Sequence, residues 1–377
     1  MESLQPATGS SATTTFTDST GQPVVTVQHS MATPLRSVGL QVWRGALLLA
    51  DLVLHRGAAA FLGATALELG AGSGLAGLVL ARFARTVYLT GKLQVDRVSC
   101  KLAGVVNTGS VVLANCQANV EQHLQQHFKP LGGSAVPASA SRRRIDPPTV
   151  PVRQLDWLEP PDWLLERPEP ADKGSSRGSS GFDTQPPKQQ GQPQQGGPAE
   201  DRFAWRPEDV AALQQLDYLL AADSVYDDVL TEAFMRSAVL LMRYARRHSG
   251  RSPRLLVAME RRICFTMTDQ AVRAPAYDYW RTLFEAIDCP AEDSWHAGRA
   301  AATAASSLQA AAEVAAGAVS SAPAELSSSA AEQQQGGKQQ APFPLVGWRL
   351  NLESVPQALH PFERSEYLEL WELELKA

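Results

Sequence analysis

Hydrophobic residues along the chain fall into short runs that switch between a strand period of two and a helix period near 3.6. "VVTVQHS" reads as a short strand from Val24 to His29. In "VGLQVWRGALLLADLVLHRG", Trp43, Leu47, Ala50 and Leu54 recur at helical spacing, and Gly57 stops the run. "ATALELGAGSGLAGLVLARFA" reads as strand, glycine loop and helix, the βα unit of a doubly wound sheet, and "TVYLT" is the next strand. "VVLANCQANVEQHLQQHF" predicts a helix, and "VPVRQLDWL" a strand ending in Asp156 and Trp157. "LDYLLAADSVY" and "PRLLVAME" predict strands on either side of the helix "DDVLTEAFMRSAVLLMRYA". The chain closes with "GWRLNLESV" and "YLELWELELKA", whose alternating charges predict an antiparallel edge hairpin. The pattern as a whole is an α/β sheet, mostly parallel, with an antiparallel end.

Composition breaks this pattern in several places. Residues 1–22 are Ser/Thr-rich and predict a disordered tail ahead of a single domain over 23–377. The domain is interrupted by insertions at about 91–107, 129–148, 166–202 and 291–341, of which the last two are low-complexity Pro/Gly/Gln and Ala/Ser/Gln tracts. A net charge of −5 gives no general drive toward phosphate backbones, which disfavours nucleic acid as a partner. The four cysteines lack paired CxxC spacing, so they read as reduced thiols and no metal site is expected. The N-terminus has no positive start followed by an apolar core, and no apolar run reaches the roughly 18 residues of a membrane span. A soluble, monomeric, cytoplasmic or nuclear protein is the expectation.

"ELGAGSGLAG", Glu68 to Gly77, carries the central chemical signal. Gly70, Gly72 and Gly74 let the backbone turn tightly and bring N–H groups close to a ligand. Gly72, Gly74 and Gly77 fit the GxGxxG spacing of a dinucleotide site, whereas Glu68 with Gly70, Gly72 and Gly74 fits the acidic-x-Gly-x-Gly-x-Gly pattern of S-adenosylmethionine methyltransferases. Context favours the second. An acid ahead of the first glycine suits an ammonium and repels a pyrophosphate. Asp156 and Trp157 close one strand with an acceptor and an indole for a purine, and Asp223-Ser224-Val225-Tyr226 closes the next at the same sheet edge.

These motifs, with "VWRGALLLAD", "VVLANCQANV" and "AADSVYDDVLTEAF" in this order, resemble the seven-β-strand lysine methyltransferases of methyltransferase family 16. The resemblance implies a Rossmann-like, doubly wound, seven-stranded sheet with an antiparallel C-terminal strand, an S-adenosylmethionine cofactor and a protein lysine as acceptor. It implies that Trp43 lies near the cofactor, Gly70, Ala71 and Gly72 under its methionine part, Asp156 and Trp157 at its adenine, and Ala222 beside its sulfonium. Asp223 and Tyr226 match the family's D-x-x-Y signature for lysine substrates: the carboxylate would orient the ammonium, and the phenol would hydrogen-bond the amine or offer it a π-face. Asp227 and Asp228 fit better as the start of the next helix. Methyltransferases of base amines carry Asx-Pro-Pro-aromatic here, and Ser224 and Val225 replace both prolines. A non-catalytic adaptor that associates through its insertions stands as the other class of function, and transfer to a nucleic acid or small molecule as a further alternative.

The family also places a ribose-binding acid directly after a strand like "TVYLT", and this chain has Gly91 and Lys92 there. "GKLQVDRVSCKLAGVVN" follows, with no clean strand or helix period and with Asp96 as its acid. Either the segment folds back to offer Asp96 to the ribose, or it is a gene-model artefact; the missing period favours the artefact.

Overall fold

The computed structural model describes residues 11–33, 35–92, 108–128, 147–165, 201–266, 271–288 and 341–376. A hairpin comes first, β1 (Ser11–Thr17) against β2 (Pro23–Ser30). The Asp18 carboxylate closes its turn, accepting from the Thr20 N–H, the Thr20 hydroxyl and the Gln22 N–H at 2.6–3.0 Å. From Ser11 onward the expected disordered tail is thus strand and turn, because a run of β-branched threonines suits a pleat while Phe16 enters the core. Residues 1–10 lie outside the described residues.

Eight strands make up the main sheet among the described residues. They are β3 (Thr65–Leu69), β4 (Thr86–Gly91), β5 (Val152–Gln154), β6 (Tyr218–Ala222), β7 (Arg254–Glu260), β10 (Glu285–Asp288), β11 (Leu345–Leu350) and β12 (Leu368–Leu375). Their order across the sheet is β10-β11-β12-β7-β6-β3-β4-β5. The five strands from β7 to β5 are parallel to one another, and β12 runs antiparallel to both β7 and β11. Strand order reverses between β3 and β6, so the crevice at their C-terminal ends is where an open α/β sheet takes its ligand. Every residue of β3 is buried, as a strand covered on both faces requires. One core contains α1 (Arg44–Phe61), α2 (Leu75–Leu80), residues of α3 (Thr108–His127) and the hairpin; the other contains α5 (Asp228–Ser249) and Trp280 of α6 (Pro275–Arg281). No helix among the described residues is long and apolar enough to cross a membrane.

The doubly wound sheet and its antiparallel strand match expectation, with three differences. The sheet has an eighth strand, since β10 pairs in parallel with β11 outside it. β11 and β12 do pair antiparallel, but β12 lies inside the sheet. Two of its three glutamates are therefore buried: Glu372 pairs with Arg56 and Arg254, and Glu369 takes hydrogen bonds from Tyr277 and Trp371. Finally, Trp43 is the extended N-cap residue of α1 instead of part of its face; the helix does break at Gly57 as expected, where φ is +50° and ψ −148°, and a further helical turn follows it to Phe61. A small hairpin, β8 (Cys264–Thr266) with β9 (Ala271–Arg273), and the short α4 (Pro207–Ala212) are further elements that the periodicity did not reveal.

Two contacts hold distant segments to this frame. Asp51, fully buried on α1, accepts from the Ala358 and Leu359 N–H groups at 2.8 Å and pairs with Arg364 at 2.6 Å. Trp163 and Trp205 meet edge to face at 5.3 Å, and Trp205 donates to the Gln154 carbonyl at the end of β5. Apart from residues at their margins, the four expected insertions lie outside the described residues.

Candidate active site

The chain leaves β3 into a loop whose glycines, Gly70, Gly72 and Gly74, all adopt positive φ, between +56° and +82°. Few other residues hold that conformation without strain, and the lack of side chains leaves the backbone open toward the crevice. Hydrogen bonds fix the loop from below: the Ala71 N–H donates to the Thr90 carbonyl at 2.8 Å, and the Thr90 hydroxyl to the Glu68 carbonyl at 2.7 Å. Gly72 passes so close to the Gly39 carbonyl that a Cβ would lie 3.0 Å from it.

Glu68 does a different job from the expected one. Its side chain is 1% exposed and accepts from the Gly77 N–H at 2.9 Å, which places the carboxyl beneath α2 and away from the crevice. Burial pushes its pKa up to about 8, against the smaller opposing effect of that hydrogen bond. An ammonium ligand is therefore not met by Glu68; the residue holds the loop to the helix. Buried Asn119 of α3 adds a second anchor that periodicity did not reveal. It donates to the Ser73 carbonyl at 2.9 Å and exchanges hydrogen bonds with the backbone of Gln28, joining the loop to the N-terminal hairpin.

At the ends of β5 and β6 the expected residues converge on Gly70. The Trp157 indole lies across that glycine, with Cζ2 3.0 Å from where a Cβ would stand, and packs on Phe234 at 5.5 Å. Its Nε1–H is buried without a partner among the described residues, as in a site built for another acceptor. Ser224 Oγ lies 3.6 Å from the same Cβ position. Asp156 accepts from the Leu158 N–H at 3.0 Å and pairs with Lys92 at 2.9 Å. The cation after β4 thus occupies the carboxylate expected to meet a purine amine. Asp96 lies outside the described residues.

Asp223 follows Ala222, the last residue of β6, and it alone among the described non-glycine residues has positive φ, +50°. Its carboxylate accepts from the Gly45 N–H at 2.6 Å and the Glu260 N–H at 2.9 Å, tying the start of α1 to the end of β7. A Cβ on Gly45 would overlap Asp223 Oδ2, so glycine is required there. Burial raises the Asp223 pKa, opposed by these two hydrogen bonds and then by the charge of Arg262. Asp227 caps α5 as expected, accepting from the Leu230 N–H at 2.9 Å.

Above Asp223 the two aromatic candidates face one cation. The Arg262 guanidinium lies 5.0 Å from the Trp43 ring centroid and 5.2 Å from that of Tyr226, within cation–π range of both. Trp43 is held in place by its Nε1–H, which donates to the Val38 carbonyl at 3.1 Å. Arg262 and Gly45 were missed as site residues because their roles depend on three elements meeting; the signal in the sequence was a basic pair directly after a strand end, "MERRICF". No group of three or more potential metal ligands occurs among the described residues.

Residues 22–103 match the family model described as lysine methyltransferase. Methyltransferase-like protein 22 of Homo sapiens is 33% identical over 266 residues, which make up 70% of this chain and 48% of that protein. Its counterpart in Mus musculus is also 33% identical over 266 residues, 70% of this chain and 50% of that protein. The chain spans about half the length of these curated relatives.

Proposed function

This chain belongs to the lysine methyltransferase family, and from that premise we propose that it transfers a methyl group from S-adenosylmethionine to the ε-amine of a lysine in a protein substrate. The observation that carries the reading is the pair of rings, Trp43 and Tyr226, holding a cation above the partly buried Asp223, one strand end from the glycine loop.

The residues that would hold the cofactor are Trp43, the backbone of Gly70, Ala71, Gly72 and Gly74, Trp157 with its unpartnered Nε1–H, Asp156, and Ala222 beside the reacting group. When bound, that group supplies a methyl carbon on a sulfonium, which accepts the electron pair of the breaking bond. Trp43 and Tyr226 bind the acceptor lysine by its charge and align it for in-line attack. Asp223 adds negative charge below them. Both its oxygens already accept backbone N–H groups, so it acts chiefly by fixing the mouth of the site. The amine proton leaves to solvent, its lone pair forms the N–C bond, and no dedicated base is required.

Incubation with methyl-labelled cofactor and a cell lysate, followed by nuclease treatment and acid hydrolysis, tests the reading: label should be recovered as methyl-lysine. Label only in nucleic acid or small molecules would reject it. The Lys92–Asp156 pair favours one second reading, a non-catalytic adaptor with a degraded pocket. Calorimetry separates the two, since the adaptor should give no heat with S-adenosylmethionine.

A further inference from the structure

We propose that Arg262 sets the sequence context of the acceptor: its guanidinium fills the lysine site at rest, and it selects lysines that stand beside an acidic side chain. The inference rests on the lysine reading and names the class of protein substrate within it.

One cation, the Arg262 guanidinium, stands against both rings. Arg262 lies about equally far from both, at 5.0 and 5.2 Å, and its charge acts on Asp223, Tyr226 and Glu260. An ammonium brought to the same ring faces would meet a like charge at contact distance, so the guanidinium has to leave first. It has room to do so, because Arg262 is exposed on the link between β7 and β8. On leaving, it gives up both rings and the field of Asp223.

Among the described residues, the nearby acids Glu260 and Asp227 each already have one oxygen engaged. Glu260 pairs with Arg44 at 2.8 Å and accepts from the Ser365 hydroxyl at 2.6 Å, while Asp227 caps α5. Both contacts of Glu260 use Oε1 and the cap uses Asp227 Oδ1, so among the described residues neither acid offers the displaced guanidinium a free two-oxygen fork, which the incoming protein can supply. A carboxylate next to the target lysine matches its planar fork with two parallel hydrogen bonds, whereas a neutral neighbour returns nothing. A lysine flanked by Asp or Glu consequently opens the site at lower cost than an isolated one.

An equimolar library of peptides with randomised residues on both sides of one lysine, incubated with full-length protein and labelled S-adenosylmethionine, tests this. Wild-type protein should favour peptides with an adjacent acid by roughly fivefold, the upper end for an exposed charge pair. Arg262→Ala should bring that ratio to about one while still methylating lysine, and Arg262→Lys should keep an intermediate preference. The same acidic preference in Arg262→Ala, or none in wild type, overturns the inference and leaves the lysine reading intact. A fall in cofactor affinity matching the fall in transfer overturns it too, by assigning Arg262 to the cofactor. Calorimetric cofactor binding without any peptide methylation overturns the lysine reading and the inference together.

Discussion

Replacing Glu68 with Gln should change how the stability of the protein depends on pH. The folded protein holds the Glu68 proton far more tightly than an unfolded chain, with the pKa raised from the ordinary 4.5 to about 8 by burial. Between these values the native state keeps a proton that the unfolded state has released, so stability is full below about pH 4.5 and is lost as pH rises through 8. At about 1.4 kcal/mol per pH unit, the whole interval is worth about 5 kcal/mol. Gln has the shape of the protonated acid, can accept from the Gly77 N–H through Oε1, and does not titrate. A single wild-type curve will not isolate the effect, because buried His123, whose pKa burial lowers to about 3, contributes the opposite slope below its ordinary 6.5. The difference between wild type and Glu68→Gln removes that contribution. Urea unfolding followed by tryptophan fluorescence at pH 5, 6, 7 and 8 should show Glu68→Gln gaining on wild type at each step, by about 4 kcal/mol in total. Parallel curves across that range would mean that Glu68 ionises normally in the fold, and the account of a buried, neutral anchor beneath α2 would be wrong.

Three further substitutions probe the site. Gly45→Ala forces a Cβ into Asp223 Oδ2 and within 2.8 Å of the Ala258 carbonyl, so thermal unfolding should reveal a loss of about 1–3 kcal/mol; an unchanged midpoint would refute the tight junction. Asn119→Ala takes the partner from the buried Ser73 carbonyl and from the Gln28 N–H and should cost about 1–3 kcal/mol, with hydrogen exchange accelerated in both the glycine loop and β2; exchange confined to one of them would contradict the coupling. Lys92→Ala frees Asp156 and should tighten S-adenosylmethionine binding about two- to fivefold by calorimetry, a modest gain because the pair is partly exposed; weaker binding would instead make Lys92 a cofactor contact.

The parts of the fold that could be read from the sequence were those in which one residue type has one physical use. Positive-φ glycines after a buried strand locate the crevice, and successive strand ends carry Trp157, Asp223 and Tyr226 to it. Direction was harder to read. β3 is buried on both faces, so alternation gives no indication that Glu68 faces α2 instead of a ligand. Trp43 sits four residues before Leu47, a spacing that suits a helix face and an N-cap equally well. The Ser/Thr run of β1 resembles a polar tail in composition, although its threonines favour a pleat. β10 is four residues long, too short for a period to register. The Arg262 clamp left only the basic pair after β7 as a trace, because no local spacing links Trp43, Tyr226 and Arg262.

The edge-to-face meeting of Trp163 and Trp205 bears on how this gene can change. These rings bracket residues 166–200, and Tyr244 packs on Trp163 at 5.6 Å, so both ends of the bracketed stretch are pinned to the body of the protein. With both ends held, a change in the number of residues between them leaves the contacts of Trp163 and Trp205 in place, and the same position should accept a grafted reporter domain whose termini lie close together.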